Sequence, residues 1–400
     1  MERGSVREVF SVFLKLGLTS FGGPVAHIGY FREEFVVRRK WLDDASFADL
    51  VALCQFMPGP ASSQAGLGIG LARAGLPGAA AAWCAFTLPS ALALVLFAYG
   101  VLALGDALDQ GWLRGFKLAA VPIVAQAVWG MGRSLCPDAP RITLAAFAAL
   151  GVLAWPTPLG QLGVILLGGV AGFFIVRVSA DNVSSGLSSG VGRGTGAFLL
   201  FLFGVLLIGL PILASSFPDR GLALFDSFFR SGALVFGGGH VVLPLLQAEV
   251  VPPGWVSQEA FLAGYGATQA VPGPLFTFAA FLGTVMNGAP NGVWGAVLCL
   301  FAIFVPSFLL VPGLLPFWDG IRKMPAARQA LAGINAAVVG LLLAALYNPV
   351  WTSAVRSPVD FGIVLVGFVL LAFCRTPPWA VVILMAAAGA AVQGLSGAVL

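Results

Sequence analysis

Lys15 and Arg230 each stand seven residues ahead of a glycine pair, Gly22-Gly23 and Gly237-Gly238, and are 215 residues apart. A cation within a membrane helix is costly and implies a task. Two at matched places could jointly neutralise a dianion, although Lys15, so near the N-terminus, could instead snorkel to the interface. Glu34 and Glu249 keep the same separation and could carry coupling protons or pair with nearby arginines. Polar side chains cluster beside a second motif. Ser62 and Ser63 follow Pro58-Gly59-Pro60, Thr277 follows Pro272-Gly273-Pro274, and Gln55 and Gln269 precede them by three residues. Hydroxyl and amide donors suit the oxygens of a tetrahedral oxyanion, though a lone Ser or Thr in a membrane helix often bonds back to its own carbonyls. Both histidines of the chain, His27 and His240, follow a Phe-Gly-Gly closely, where an imidazole could shuttle protons or simply hold neighbours by hydrogen bonds.

The elements that must position these groups are membrane helices. Of 400 residues, 59% are hydrophobic and only 10% charged, with a mean hydropathy of +0.96, whereas a soluble domain carries roughly a quarter charged residues. Runs such as Ala80–Leu104, Thr195–Ser216 and Val293–Leu315 approach or exceed the ~20 residues needed to cross the hydrocarbon core. The start MERGSVREVF has no small-residue cleavage site, so the first apolar segment is expected to stay in place. The net charge of +4 is dispersed, which argues against a nucleic-acid partner. The five scattered cysteines lack CxxC spacing and read as small core residues, and two histidines cannot build a His-rich metal site. No GxxxxGK[ST] loop is present and GLGIG (66–70) follows no strand, so neither an enzyme nor a cofactor is expected.

The chain repeats itself. Phe21-Gly22-Gly23 matches Phe236-Gly237-Gly238, Gln55 matches Gln269, Pro58–Pro60 match Pro272–Pro274, Pro89-Ser90 match Pro306-Ser307, and the run from Gly115 resembles that from Gly333, all at offsets of 214 to 218. Residues 1–178 and 222–400 thus read as two repeats, separated by 179–221, which hold a Ser/Gly-rich linker (Val178–Gly194) and one extra spanning helix. Loop charges set the orientation. Arg32, Arg38, Arg39, Lys40 and Arg73 follow the first motifs, while their counterparts near Glu249–Glu259 and Met286–Gly292 have no Lys or Arg. The bias reverses between Gly105–Gly111, with Asp106 and Asp109, and Trp318–Arg328, with Arg322, Lys323 and Arg328. The expected architecture is an all-α polytopic membrane protein, with two inverted-topology repeats of broken or re-entrant helices joined by a linking transmembrane helix and a cytoplasmic N-terminus. Segments Val9–Phe31 and Ser46–Ala72 turn back or cross, and spans follow near 80–104, 112–133, 142–155 and 159–177.

Breaks at membrane depth survive where freed backbone groups face protein or a water-filled cavity, and in repeat-built transporters they mark the substrate site. Pro24, Pro60 and Pro274 fit the first turn of the following helix, whose free N–H groups and dipole favour an anion. Gly239 replaces the proline in the remaining break. The expected substrate-binding positions are therefore Lys15, Gly22, Gly23, Pro24, His27, Gln55, Gly59, Ser62, Ser63, Arg230, Gly237, Gly238, Gly239, His240, Gln269, Gly273 and Thr277, with Glu34 and Glu249 as proton-coupling candidates.

FGGP followed by YFREEFVVRRKWLDD, then QFMPGP and FTLPS, with FGGGHVVLPLL, TQAVPGP and FVPS in the second half, resembles the chromate ion transporter (CHR) family in its two-domain form. The resemblance covers nearly the whole chain. It implies export of chromate across a bacterial inner membrane, driven by the membrane potential or a proton gradient, with chromate resistance as the outcome. Sulfate, of similar charge and shape, is implied as a substrate or competitor. The second half departs at Gly239 for Pro24 and at Phe276 for Ser62. The expected partners are the oxyanion, the lipid bilayer and at most a second copy as a homodimer; an anion channel would share the same breaks and basic residues.

Overall fold

The computed structural model describes residues 4–104, 110–177 and 191–397. These residues are helical, with no strand among them. Most of the expected linker, and Asp106 and Asp109, lie outside the described residues.

The first half opens with α1 (Val6–Thr19), capped by Ser5, whose hydroxyl accepts the Glu8 N–H. Its buried face is Val9, Val12, Phe13 and Leu16, an i, i+3, i+4, i+7 stripe. Consecutive positive φ angles at Gly22 (100°) and Gly23 (74°) turn the chain into α2 (Gly23–Arg32), which continues as a π turn over Glu33–Arg38. Next comes α3 (Asp44–Phe56), then the PGP break, then α4 (Ala61–Leu104). α4 folds back at Ala74–Gly75, so close that Cβ atoms on Gly70 and Gly78 would strike each other's backbone.

Both broken segments of this half start and finish at one place. The Gly4 N–H bonds to the Arg73 carbonyl at 3.0 Å. Glu8 pairs with Arg73 at 3.1 Å and with Arg39 at 3.9 Å. Arg73 lies 4.9 Å over the Trp41 ring. Each segment is therefore a hairpin whose tip is its Gly/Pro break. Phe13, Phe31, Phe35 and Phe86 knit the first hairpin to α4, with ring centroids 4.9 to 6.4 Å apart.

Beyond the turn, α4 runs on for about 40 Å at 1.5 Å per residue. It is followed by α5 (Gln110–Leu135), α6 (Ala139–Ala154) and α7 (Pro158–Ile175). The extra helix is α8 (Arg193–Ser216), with little of its length buried. The second half repeats the order with α9 (Arg220–Ala233), α10 (Val242–Val250), α11 (Gln258–Thr268), α12 (Phe278–Val285) and α13 (Gly292–Leu314). Short α14 (Trp318–Ile321) leads to α15 (Pro325–Ala345), short α16 (Thr352–Ala354), α17 (Pro358–Ala372) and α18 (Pro378–Gly397).

The hairpins of the second half also share one mouth. Asn287 bonds through its backbone N–H to the Trp255 carbonyl and through its amide to the Gly254 carbonyl, and its own carbonyl accepts from Arg220. That mouth lies at the far end of α4, where the Tyr99 hydroxyl accepts the Val293 N–H at 3.1 Å. One mouth thus sits at the Arg73 end of the helix stack and the other at the Tyr99 end.

Six helical stretches among the described residues are long and apolar enough to cross a membrane, and the chain is a multi-pass membrane protein. Lipid is as apolar as leucine, so helices associate here through close packing at small residues. Gly168 and Gly172 of α7 meet Gly333 of α15 with no room for a Cβ. Cys54, Cys136 and Cys299 are buried as expected, whereas Cys374 is exposed.

Candidate functional site

The four breaks meet one another across the two halves. The Gly59 N–H, in the first PGP, donates to the carbonyl of Val235, next to the second FGG, at 2.6 Å. The Gly273 N–H, in the second PGP, donates to the carbonyl of Ser20, next to the first FGG, at 2.9 Å. Gly59 aligns with Gly273 and Ser20 with Val235, so the two bonds are reciprocal between the halves. Both glycines have left-handed φ, 123° and 95°, which a side chain would strain. A Cβ on Gly59 would stand 3.1 Å from Ser307 Oγ, and one on Gly273 2.8 Å from Ser90 Oγ, another aligned pair. Pro24 and Gly239 face each other directly: a Cβ at 239 would stand 3.2 Å from the Pro24 ring. A second proline there would contest the space of the first.

Around these tips lies a set of buried polar side chains: Ser20, His27, Ser62, Ser63, Gln64, Ser90, Thr277 and Ser307. His27 lies 3.1 Å from the Ser20 carbonyl through Nε2 and 3.3 Å from Ser62 Oγ through Nδ1. A carbonyl only accepts, so Nε2 carries the proton and Ser62 donates to Nδ1. The Ser20 carbonyl therefore accepts from both His27 and Gly273. Gln64 donates to the Pro58 carbonyl at 2.6 Å and approaches Ser307 Oγ at 3.4 Å. His240 contacts the hydroxyl of fully buried Tyr265 at 2.8 Å.

The donor hydroxyls of Ser20 and Ser63 and the Gln269 amide nitrogen are buried without a hydrogen-bond partner. Such groups are costly unless something accepts from them, and an oxyanion presents acceptors only. Thr277 is different: its hydroxyl bonds to the Pro274 carbonyl at 2.7 Å, and its neighbour Phe276 is packed against Phe304. The first PGP break is therefore the more polar of the two.

The expected charges fall elsewhere. Lys15 is exposed on α1, to one side of the buried stripe, and acts on Glu34 only through space. Glu34 is held by Arg39 at 2.6 Å and Arg38 at 3.0 Å. Arg230 makes a two-pronged pair with Glu249, at 2.6 and 3.0 Å, and a further pair with Asp226 at 2.8 Å. Two carboxylates thus share one guanidinium, and Lys15 and Arg230 are not brought together. Gln55 is exposed. Among the described residues no three His, Cys, Asp or Glu gather as metal ligands.

The sequence reading left out Ser20, Gln64, Ser90 and Ser307, although the Pro-Ser landmarks at an offset of 217 pointed to the last two. It also missed two charge bridges between the halves. Asp49 accepts from Arg322 at 2.7 Å and from the Trp318 indole at 2.8 Å, near the Arg73 end. Arg114 donates to buried Asp360 at 2.7 Å, near the Tyr99 end.

A family model described as chromate transporter matches residues 7–173 and again 222–390. The chain is 28% identical over 399 residues to a chromate transport protein of Pseudomonas aeruginosa, covering 96% of this chain and 91% of that one. It is 28% identical over 376 residues to a chromate transport protein of Cupriavidus metallidurans, covering 92% and 87%. It is 27% identical over 349 residues to a probable chromate transport protein of Synechococcus elongatus, covering 86% and 84%. No solved structure matches.

Proposed function

The chain belongs to the chromate transporter family, and from that premise we propose that it is a secondary transporter exporting chromate, with one oxyanion site built from the four breaks of two oppositely oriented halves. The observation that carries this reading is the reciprocal pair of bonds, Gly59 to Val235 and Gly273 to Ser20. They draw all four tips together beside the unpartnered donors of Ser20, Ser63 and Gln269. The helix following each break directs N–H groups and a positive dipole end toward an anion.

Opposite orientation is supported by hairpin mouths at opposite ends of α4 and by the reversal of loop charge. The Arg73 end, with Arg32, Arg38, Arg39 and Lys40, is the cytoplasmic side, and the N-terminus lies there. The repeats are 1–178 and 222–400, with α8 supplying the odd crossing between them.

The dianion is held by break backbone, Ser63, Gln269, Ser20 and the hydroxyls around His27, rather than by Arg230, whose charge is already balanced. Glu249 is the better proton-coupling candidate of the two glutamates. It shares Arg230 with Asp226 in a largely buried cluster joining α9 and α10, whereas the arginines that hold Glu34 are far more exposed.

Flux into proteoliposomes tests this reading. A carrier gives chromate flux that saturates, that sulfate competes for, and that follows an imposed potential or pH gradient. Flux linear in chromate and indifferent to a pH gradient would indicate an anion channel instead.

A further inference from the structure

Several buried or part-buried charges come in partnered sets: Arg230 with Asp226 and Glu249, Arg322 with Asp49, and Arg114 with Asp360. Lys117 differs. It lies on α5 within an apolar span, Arg114–Leu135, and is followed by the fully buried Leu118, Ala119 and Ala120. It is half-buried and forms no ion pair with any described residue. The charges that act on it through space are one carboxylate, Glu259, and two further cations, Arg356 and Arg114. Asp360, the remaining acid of this group, is bound to Arg114. A cation without an ion pair in such a place is costly, and among the described residues that act on it cations outnumber carboxylates two to one.

Two relations tie Lys117 to the breaks. The carbonyl of Phe116 lies against Gly266 of α11, too close for a Cβ, which sets this turn of α5 beside the end of the helix leading to the second PGP. The other relation is the repeat: Gly115-Phe116-Lys117 matches Gly333-Ile334-Asn335 at an offset of 218. Asn335 faces the FGG break of its own half, its Oδ1 lying 3.5 Å from where a Gly237 Cβ would stand. The two breaks are filled differently. Met131, Leu135 and Asn335 close over Gly237 and Met131 over Gly238, whereas a Cβ on the matching Gly22 meets its own helix neighbour Ala26 and one on Gly23 meets nothing within 4 Å.

We propose that Lys117 is an anion-binding residue, a second oxyanion position in series with the break site on the Tyr99 side, where a divalent oxyanion is received as it passes between the tips and that mouth. The proposal rests on the transport reading above.

The test compares chromate flux and KM in proteoliposomes of the wild type, Lys117→Gln and Lys117→Arg. It is paired with labelling of Lys117→Cys, in a background without the native cysteines, by an anionic thiol reagent. Losing one charged partner raises KM about tenfold or more in Lys117→Gln, and Lys117→Arg recovers most of the loss. Sulfate, a dianion of the same shape that leaves thiols unoxidised, slows labelling of the cysteine. A wild-type KM in Lys117→Gln, or labelling indifferent to sulfate, would overturn the proposal. Absence of saturable flux in the wild type would instead bring down the transport reading beneath it. If Lys117→Gln does not insert, the Lys117→Arg kinetics and the labelling decide alone.

Discussion

The N–H of Gly59 reaches across the boundary between the halves to the carbonyl of Val235, and its aligned counterpart Gly273 reaches back to Ser20. Neither glycine tolerates a side chain easily, because φ is left-handed at both and a hydroxyl of the opposite half stands close by. Gly59→Ala and Gly273→Ala are each expected to cost about 1–3 kcal/mol, read as a lower melting temperature in detergent. Ser90→Ala should relieve part of the Gly273→Ala defect and none of the Gly59→Ala defect. Equal relief of both would break the pairing inferred here.

The two PGP breaks should respond unequally to loss of a hydroxyl. Ser63 Oγ is buried without a partner, while Thr277 already bonds to the Pro274 carbonyl. Ser63→Ala is expected to weaken chromate affinity about five- to tenfold, the worth of one hydrogen bond. Thr277→Val should change affinity less than twofold, which KM values from flux would reveal.

Asp49 is a buried link between the halves, accepting from Arg322 and Trp318. Asp49→Ala takes one carboxylate from the buried Arg322 guanidinium, which keeps Asp319 at 2.5 Å, and should cost about 1–3 kcal/mol. Replacing both residues with apolar ones, Asp49→Leu with Arg322→Met, should recover much of that loss. A double variant no more stable than Asp49→Ala would show that the pair itself is not the source.

If Glu249 carries the coupling proton, Glu249→Gln should abolish chromate flux driven by a pH gradient. Chromate–chromate exchange at equal pH should persist. Retention of pH-driven flux would move the coupling proton elsewhere, with Glu34 next to be examined.

The hairpin tips were legible because Gly and Pro punctuate an apolar chain strongly, and because the same words recur at a near-constant offset. The extra helix α8 was legible from its uninterrupted apolar run. Lys15 was misjudged as a partner for Arg230 because alignment says which residues correspond and not which way they face. Its helical phase, off the stripe of Val9, Val12, Phe13 and Leu16, held that information. The Asp226–Arg230–Glu249 triad depends on contact between α9 and α10, and the Asp49–Arg322 bridge joins residues 273 apart, which no local pattern encodes. Lys117 sat inside a stretch used only as a repeat landmark. The signal was the lysine itself, aligned with Asn335 in a segment meant to cross lipid.

Equilibrium binding of chromate to the purified protein, wild type against the double variant Ser63→Ala with Gln269→Ala, addresses the break site most directly. Saturable binding that sulfate displaces, weakened at least about tenfold in the double variant, is the predicted result. Wild-type affinity in the double variant, with its fold intact, would contradict an oxyanion site at the four breaks.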